Sequence, residues 1–187
     1  MKKLLLLLLI WGGAVSFWVL TNNIYVADRL AEKSMQYLSK LDTEVAERLI
    51  DKAIEKNKYE PNYYRIKAKI LTVGEGDKKE ILNNLQRSLD LNKNNLVTAR
   101  NSVSLYYFLS IKNFNEPLGT ENIDTEYLPT THAYFLFMKE KYPNDAGVIS
   151  LIAKYEKKLG LMEDYARSVE IIRNLRPDLL DWYESFR

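Results

Sequence analysis

The chain has 187 residues, 47% hydrophobic and 28% charged, which suits one globular body with an anchor and excludes a disordered chain. It holds no Cys and one His, so disulfide scaffolds, Cys-ligated zinc, iron–sulfur clusters, thiol catalysis and His-rich metal sites are excluded together. Lys2 and Lys3 account for the whole formal charge of +2, and the neutral remainder argues against a nucleic-acid partner.

Met1-Lys2-Lys3 opens onto residues 4–20, about 17 uncharged and mostly apolar residues, the lower limit for a helix crossing roughly 30 Å of hydrocarbon. Two readings follow. A cleaved signal peptide would end at the small-x-small site Ala14-x-Ser16. An uncleaved signal anchor over residues 1–22 accounts better for Phe17-Trp18-Val19-Leu20, which continue the apolar run past that site. Basic residues prefer the cytoplasmic side, so the amino end is expected inside and the body on the extracytoplasmic face, or secreted if the segment is cleaved.

The body reads as helices. Apolar residues recur at three-to-four spacing near 23–40, 43–57, 62–73, 77–92, 95–112, 130–142, 146–159 and 162–176, and a short tail helix is expected after Pro177. Asp42 or Thr43 is placed to cap the second helix, and Asp77 with Glu80 forms a capping-box pattern. Gly74-Glu75-Gly76 reads as a turn. Pro61 and Pro143 fall at boundaries, where a fixed φ and a missing N–H are tolerated. Short links imply antiparallel neighbours. The segment 113–129, with Pro117, Gly119 and Pro129, is too long for an ordinary link and reads as an insert.

An internal echo bears on the architecture. Ala53-Ile54-Glu55-Lys56-Asn57-Lys58 matches Ser88-Leu89-Asp90-Leu91-Asn92-Lys93 at a separation of 35 residues, and Ala46, Leu49 and Ile50 correspond to Ile81, Asn84 and Leu85. The stretch from Ala46 to Pro61 resembles the second helix of a tetratricopeptide repeat. The next helix carries Tyr64 at the large aromatic position, Ala68 at the small one and Leu71 at the following large one. The resemblance spans 23–180 and lacks the full aromatic, Leu-Gly, Tyr pattern in any unit. It implies an all-α solenoid of about four helical pairs after an N-terminal transmembrane helix, with an insert at 113–129 and a tail at 181–187. An unrelated helical bundle is the alternative.

No catalytic site is expected. Gly74-Glu75-Gly76-Asp77 lacks the Gly-Lys-Ser/Thr ending of a phosphate loop. His132 has no ligand partners of the Cys or His type and is assigned to a helix surface or a satisfied polar niche. Glu116, Glu121, Asp124 and Glu126 do not follow the spacing of a calcium loop and read as solvated. No cofactor and no metal are expected. Most of the 13 Tyr are assigned to the core between repeats.

In tetratricopeptide arrays the first helix of each pair lines a concave groove. The resemblance therefore places Arg65 and Lys69, with Arg100, Ser104 and Tyr107 about one repeat on, along one partner-binding face. The two Arg are expected either to receive a carboxylate-bearing segment of a protein partner or to pair with neighbouring Asp and Glu. The resemblance implies a non-enzymatic scaffold, membrane-bound through residues 4–20, of the kind that assists envelope assembly such as secretion, pilus or surface-polysaccharide systems. An accessory component of a glycan-polymerising enzyme system, similar to O-antigen ligases, is the alternative.

Overall fold

The computed structural model describes residues 2–113, 116 and 119–178, with residues 2–10 and 120 described by backbone alone. Those residues form an all-α chain: α1 (Lys2–Leu38), α2 (Thr43–Lys56), α3 (Pro61–Val73), α4 (Lys78–Leu91), α5 (Leu96–Leu109), α6 (Leu128–Lys141), α7 (Ala146–Lys158) and α8 (Met162–Leu175). A 3-10 turn at Thr120–Asn122 and a single bridge between Ile111 and Ile123 complete it. Packing groups the chain into two units, residues 1–91 and 92–187.

Local chemistry sets the helix ends. Asp42, Asn95 and Asp145 each accept a hydrogen bond from the amide three residues on, opening α2, α5 and α7. Glu60 caps α3 by accepting from the Asn62 amide, with Pro61 in its first turn. Asp77 accepts from the Lys79 amide at 3.1 Å, but Glu80 does not complete the expected capping box. Its carboxylate meets Lys67 on the neighbouring helix instead.

Three helices end in the same paired-carbonyl turn, closed by one bond across five residues and one across three. The residue in the left-handed region is Leu41 after α1, Glu75 after α3 and Gly160 after α7. The sequence supplies glycine at only one of the three. At the second, Gly74 and Gly76 flank the left-handed residue, and a Cβ on Gly76 would lie 3.1 Å from Leu71 Cδ2.

In the first unit α1 packs on α2, α2 on α3 and α3 on α4. The α1–α2 contact is built from small residues. Ala27, Ala31 and Ser34 face Ala46 and Ala53, and the buried Ser34 hydroxyl donates to the Ala46 carbonyl at 2.8 Å. Leu38, Ile50, Tyr63, Ile66 and Ile70 fill the same core. The 35-residue echo is visible in the elements: α2 and α4 begin 35 residues apart, as do α3 and α5. Buried Ala46, Ile50 and Ala53 correspond at that spacing to buried Ile81, Leu85 and Ser88. The aromatic position shifts by one: Tyr63 is the buried ring, donating to Asp28 of α1, while Tyr64 is half-buried.

In the second unit α5 packs on α6 and α7, and α7 on α8. The α5 helix stops at Leu109, short of the expected residue 112, because the chain turns at Ser110 and Ile111 then pairs with Ile123 at the end of the insert. The Lys112 amide donates to Asn122 O and the Asp124 amide to Ser110 O, both at 2.9 Å. Buried Asn122 closes the neck, accepting from the Asn113 amide and donating to the Asn113 carbonyl, both at 2.8 Å. Behind it the Ser110 hydroxyl donates to Thr131, which donates to the Tyr106 carbonyl. Pinched in this way, the insert lets α6 pack on α5 as a short link would.

The α1 helix runs unbroken through the 22/23 junction assigned to the end of the anchor. Among the described residues no helix is long and apolar enough to cross a membrane. The side chains of residues 2–10, which a span over 4–20 requires, lie outside the description, as does the tail over 181–187.

Candidate functional site

Along α3, residues Asn62, Arg65, Lys69 and Val73 form a solvent-facing stripe at helical spacing, with Arg65 half-buried and the others exposed. The corresponding positions of α5, 35 residues on, are Val97, Arg100, Ser104 and Phe108, with Ser104 half-buried. Each unit thus carries its own stripe. Four of the five expected groove residues, Arg65, Lys69, Arg100 and Ser104, lie on these stripes. Tyr107 does not: its ring is 4% exposed and stacks on Tyr155 of α7 at 4.4 Å between centroids. One residue further along the helix, Phe108 occupies the exposed position. Adjacent helical residues point about 100° apart, so a one-residue shift exchanges core for surface. The sequence signal was the aromatic triplet Tyr106-Tyr107-Phe108, which marks the position without saying which ring faces out.

The stripe cations are not neutralised by neighbours. Among the described residues Arg65, Lys69 and Arg100 meet no carboxylate within ion-pair distance; the Arg65 guanidinium donates to Asn62 Oδ1, one turn back. Burial pushes the Arg65 pKa down, a sign of a guanidinium partly withdrawn from water without an anion to compensate it. Arg100 lies over the first turn of α7, where a Cβ on Gly147 would come within 3.3 Å of its Nη2.

The charge distribution by helix is uneven. Neither α3 nor α5 contains an Asp or Glu, and the single acid of α7, Glu156, is fully buried. The helical carboxylates fall instead mainly on α2, α4 and α8. On α7, Lys154 and Lys158 are exposed, and Lys158 holds its ammonium 5.8 Å from the Tyr107 ring centroid.

Two other ionic groups are structural. Lys67 of α3 lies 2.9 Å from both Asp51 of α2 and Glu80 of α4. Desolvation lowers its pKa, but hydrogen bonds and charge from the two carboxylates outweigh that and raise it overall. In the second unit Glu156 of α7 accepts from Lys139 of α6 at 2.6 Å and from the Ser168 hydroxyl of α8 at 2.7 Å. Asp164 of α8 receives His132 Nε2 at 2.8 Å, with Lys139 at 3.9 Å and Arg167 at 3.8 Å. His132 therefore sits in a satisfied polar niche.

Among the described residues no group of three His, Asp or Glu side chains is placed to hold a metal ion. Within the insert, Glu116 accepts from Asn113 and Asp124 accepts from the Glu126 amide. The Gly74–Gly76 segment is a helix-ending turn, not a phosphate cradle. The open hollow beside Tyr142, Asp145 and Gly147 has one cation on its rim, Arg176, already paired with Asp178 at 2.7 Å.

No known family profile matches this chain, and no curated protein matches it.

Proposed function

We propose that this protein is a membrane-anchored, non-enzymatic scaffold of tetratricopeptide-like helical pairs. Its first-of-pair helices receive an acidic segment of a protein partner on the extracytoplasmic face of the membrane. The observation that carries this reading is the segregation of charge: α3 and α5 present cations and no carboxylate, and the one carboxylate of α7 is buried and paired. Within the first unit Arg65 and Lys69 with Val73, and within the second Arg100 with Phe108, each suit a carboxylate-bearing segment through charge-assisted hydrogen bonds and apolar contact. The recurrence of α2 and α3 as α4 and α5 at 35 residues supports the repeat architecture.

The anchor rests on residues 4–20. Their described part, residues 11–20, is exposed on every side of α1, with Trp11, Phe17 and Trp18 each about two-thirds exposed. A helix stretch that is apolar all round and covered by none of the described residues suits lipid. Such a partner site gives orientation and salt dependence more than large affinity.

Co-purification from solubilised membranes tests the reading. The Arg65→Glu, Arg100→Glu double variant should retain partner at least about tenfold more weakly, on the order of 1.4 kcal/mol, with unchanged helical circular dichroism. Equal retention refutes the site, and capture of glycan or lipid-linked sugar in place of protein refutes the scaffold. Protease protection of intact cells checks the topology, since a shielded or soluble cytoplasmic body contradicts it.

A further inference from the structure

The first unit has a second feature at the level where the apolar segment of α1 ends. The α1–α2 hairpin is held in register by the Ser34 hydroxyl on the Ala46 carbonyl, and Ala27, Ala31 and Ala53 share its core. From Ala46 to the end of α2 at Lys56 is a climb of about 15 Å at 1.5 Å per residue. The same climb along α1, antiparallel and starting from Ser34, arrives at Ile24. The α2–α3 loop, residues 57–60, therefore stands beside residues 21–24 of α1, just beyond the apolar run 4–20. Tyr63, in the first turn of α3, fixes the same level from the other side by donating to Asp28.

That loop is built unlike an ordinary polar turn. Tyr59 is 68% exposed, and the Lys58 ammonium lies 5.3 Å from its ring centroid. The Tyr64 hydroxyl donates to the Lys58 carbonyl at 3.0 Å, bracing the loop from α3. Glu60 turns inward to cap α3, and its backbone carbonyl accepts from the Tyr63 amide. Lys56 is exposed at the end of α2, directly before the loop, and Tyr25 of α1 is 64% exposed at the same level. An outward tyrosine with adjoining lysines, level with the end of an apolar helix, has the composition of a membrane-interface belt. The ring fits the glycerol and carbonyl layer, and the ammonium groups reach phosphate.

We infer that the α2–α3 loop is a second membrane contact, with Tyr59 and Lys58 seated in the headgroup layer of the leaflet from which the body emerges. The inference rests on the anchor reading of residues 4–20. It adds that the first unit lies against the bilayer instead of standing clear on a stalk. The unbroken α1 helix favours this, because nothing between residue 20 and the first buried position, Ala27, lets the body swing away.

The chain has no Cys, so single nitroxide labels can be placed without removing a native thiol. The full chain would be reconstituted in phosphatidylcholine vesicles containing a minority of phosphatidylglycerol, as Lys58→Cys or as Leu41→Cys. Position 41 follows the far end of α1, about 20 Å from the level of Ile24 at 1.5 Å per residue. The expected result is a nitroxide at 58 several-fold more accessible to oxygen, relative to a water-soluble nickel chelate, than one at 41. Adding Tyr59→Ser should draw the label at 58 back toward water. In parallel, Trp182→Phe leaves Trp11 and Trp18 as the only indoles, and acyl-chain quenchers should quench them. Quenched Trp with equal accessibilities at 58 and 41 overturns the loop contact while the anchor stands. Unquenched Trp overturns the anchor, and the loop contact with it.

Discussion

Removing Lys139 should destabilise the second unit more than any other single charge deletion in it. Glu156 is completely buried, and its two oxygens are held by Lys139 at 2.6 Å and by the Ser168 hydroxyl at 2.7 Å. Lys139→Met leaves that carboxylate in the interior with one neutral donor. Breaking a buried pair from one side costs about 3–5 kcal/mol, a large share of the roughly 5–15 kcal/mol that holds a domain together. Glu156→Gln should be milder, about 1–2 kcal/mol. The amide still accepts and donates, and Lys139 keeps Asp164 at 3.9 Å. The triple variant Lys139→Met, Glu156→Leu, Ser168→Ala removes both charges and the hydroxyl and should return to within about 1 kcal/mol of the parent, since apolar replacement of a buried pair is often neutral. Urea titration of the full chain in mild detergent, with hydrogen exchange followed over α6–α8, measures all three. A loss below about 1 kcal/mol for Lys139→Met, or a triple variant no more stable than that single one, would refute the argument.

Two further outcomes follow from backbone strain and from burial. Leu41 holds φ at 62° while 76% exposed, so its side chain contributes little packing against a left-handed penalty of roughly 1–2 kcal/mol. Leu41→Gly should therefore stabilise the first unit by about 1 kcal/mol in the same urea assay; a loss of stability would show that the leucine packs in a way its exposure does not reveal. Stability should also fall on the alkaline side. Desolvation, then the hydrogen bond to Asp28, raises the Tyr63 pKa, and desolvation raises that of Tyr134. Unfolded phenols ionise near about pH 10 while the folded ones stay neutral, so stability complete below that pH is lost as pH rises above it. Thermal scans should show Tyr63→Phe with a shallower alkaline decline than the parent; an identical slope contradicts the assignment.

The sequence by itself determined the helices, the apolar amino-terminal run and the 35-residue register. Each of these is a local or periodic property. Side chains three and four apart share a face, Asp42 and Pro61 act within a turn, and the spacing from Ala53 to Ser88 is counted along the chain. The tetratricopeptide resemblance singled out Arg65, Lys69, Arg100 and Ser104, of which Lys69 and Arg100 are exposed and Arg65 and Ser104 half-buried. Tertiary structure alone decided which of two adjacent aromatics turns inward. Tyr63 rather than Tyr64, and Tyr107 rather than Phe108, are buried, against neighbouring helices whose position no local pattern encodes. It likewise decided that Glu80 leaves its own helix end for Lys67, that Asn122 closes the insert, and that Glu156 and Asp164 gather Lys139 and His132. The partners in these contacts lie between nine and 32 residues apart in sequence. Only the packing of helices brings them within hydrogen-bonding reach, and burial then selects which charges must find each other.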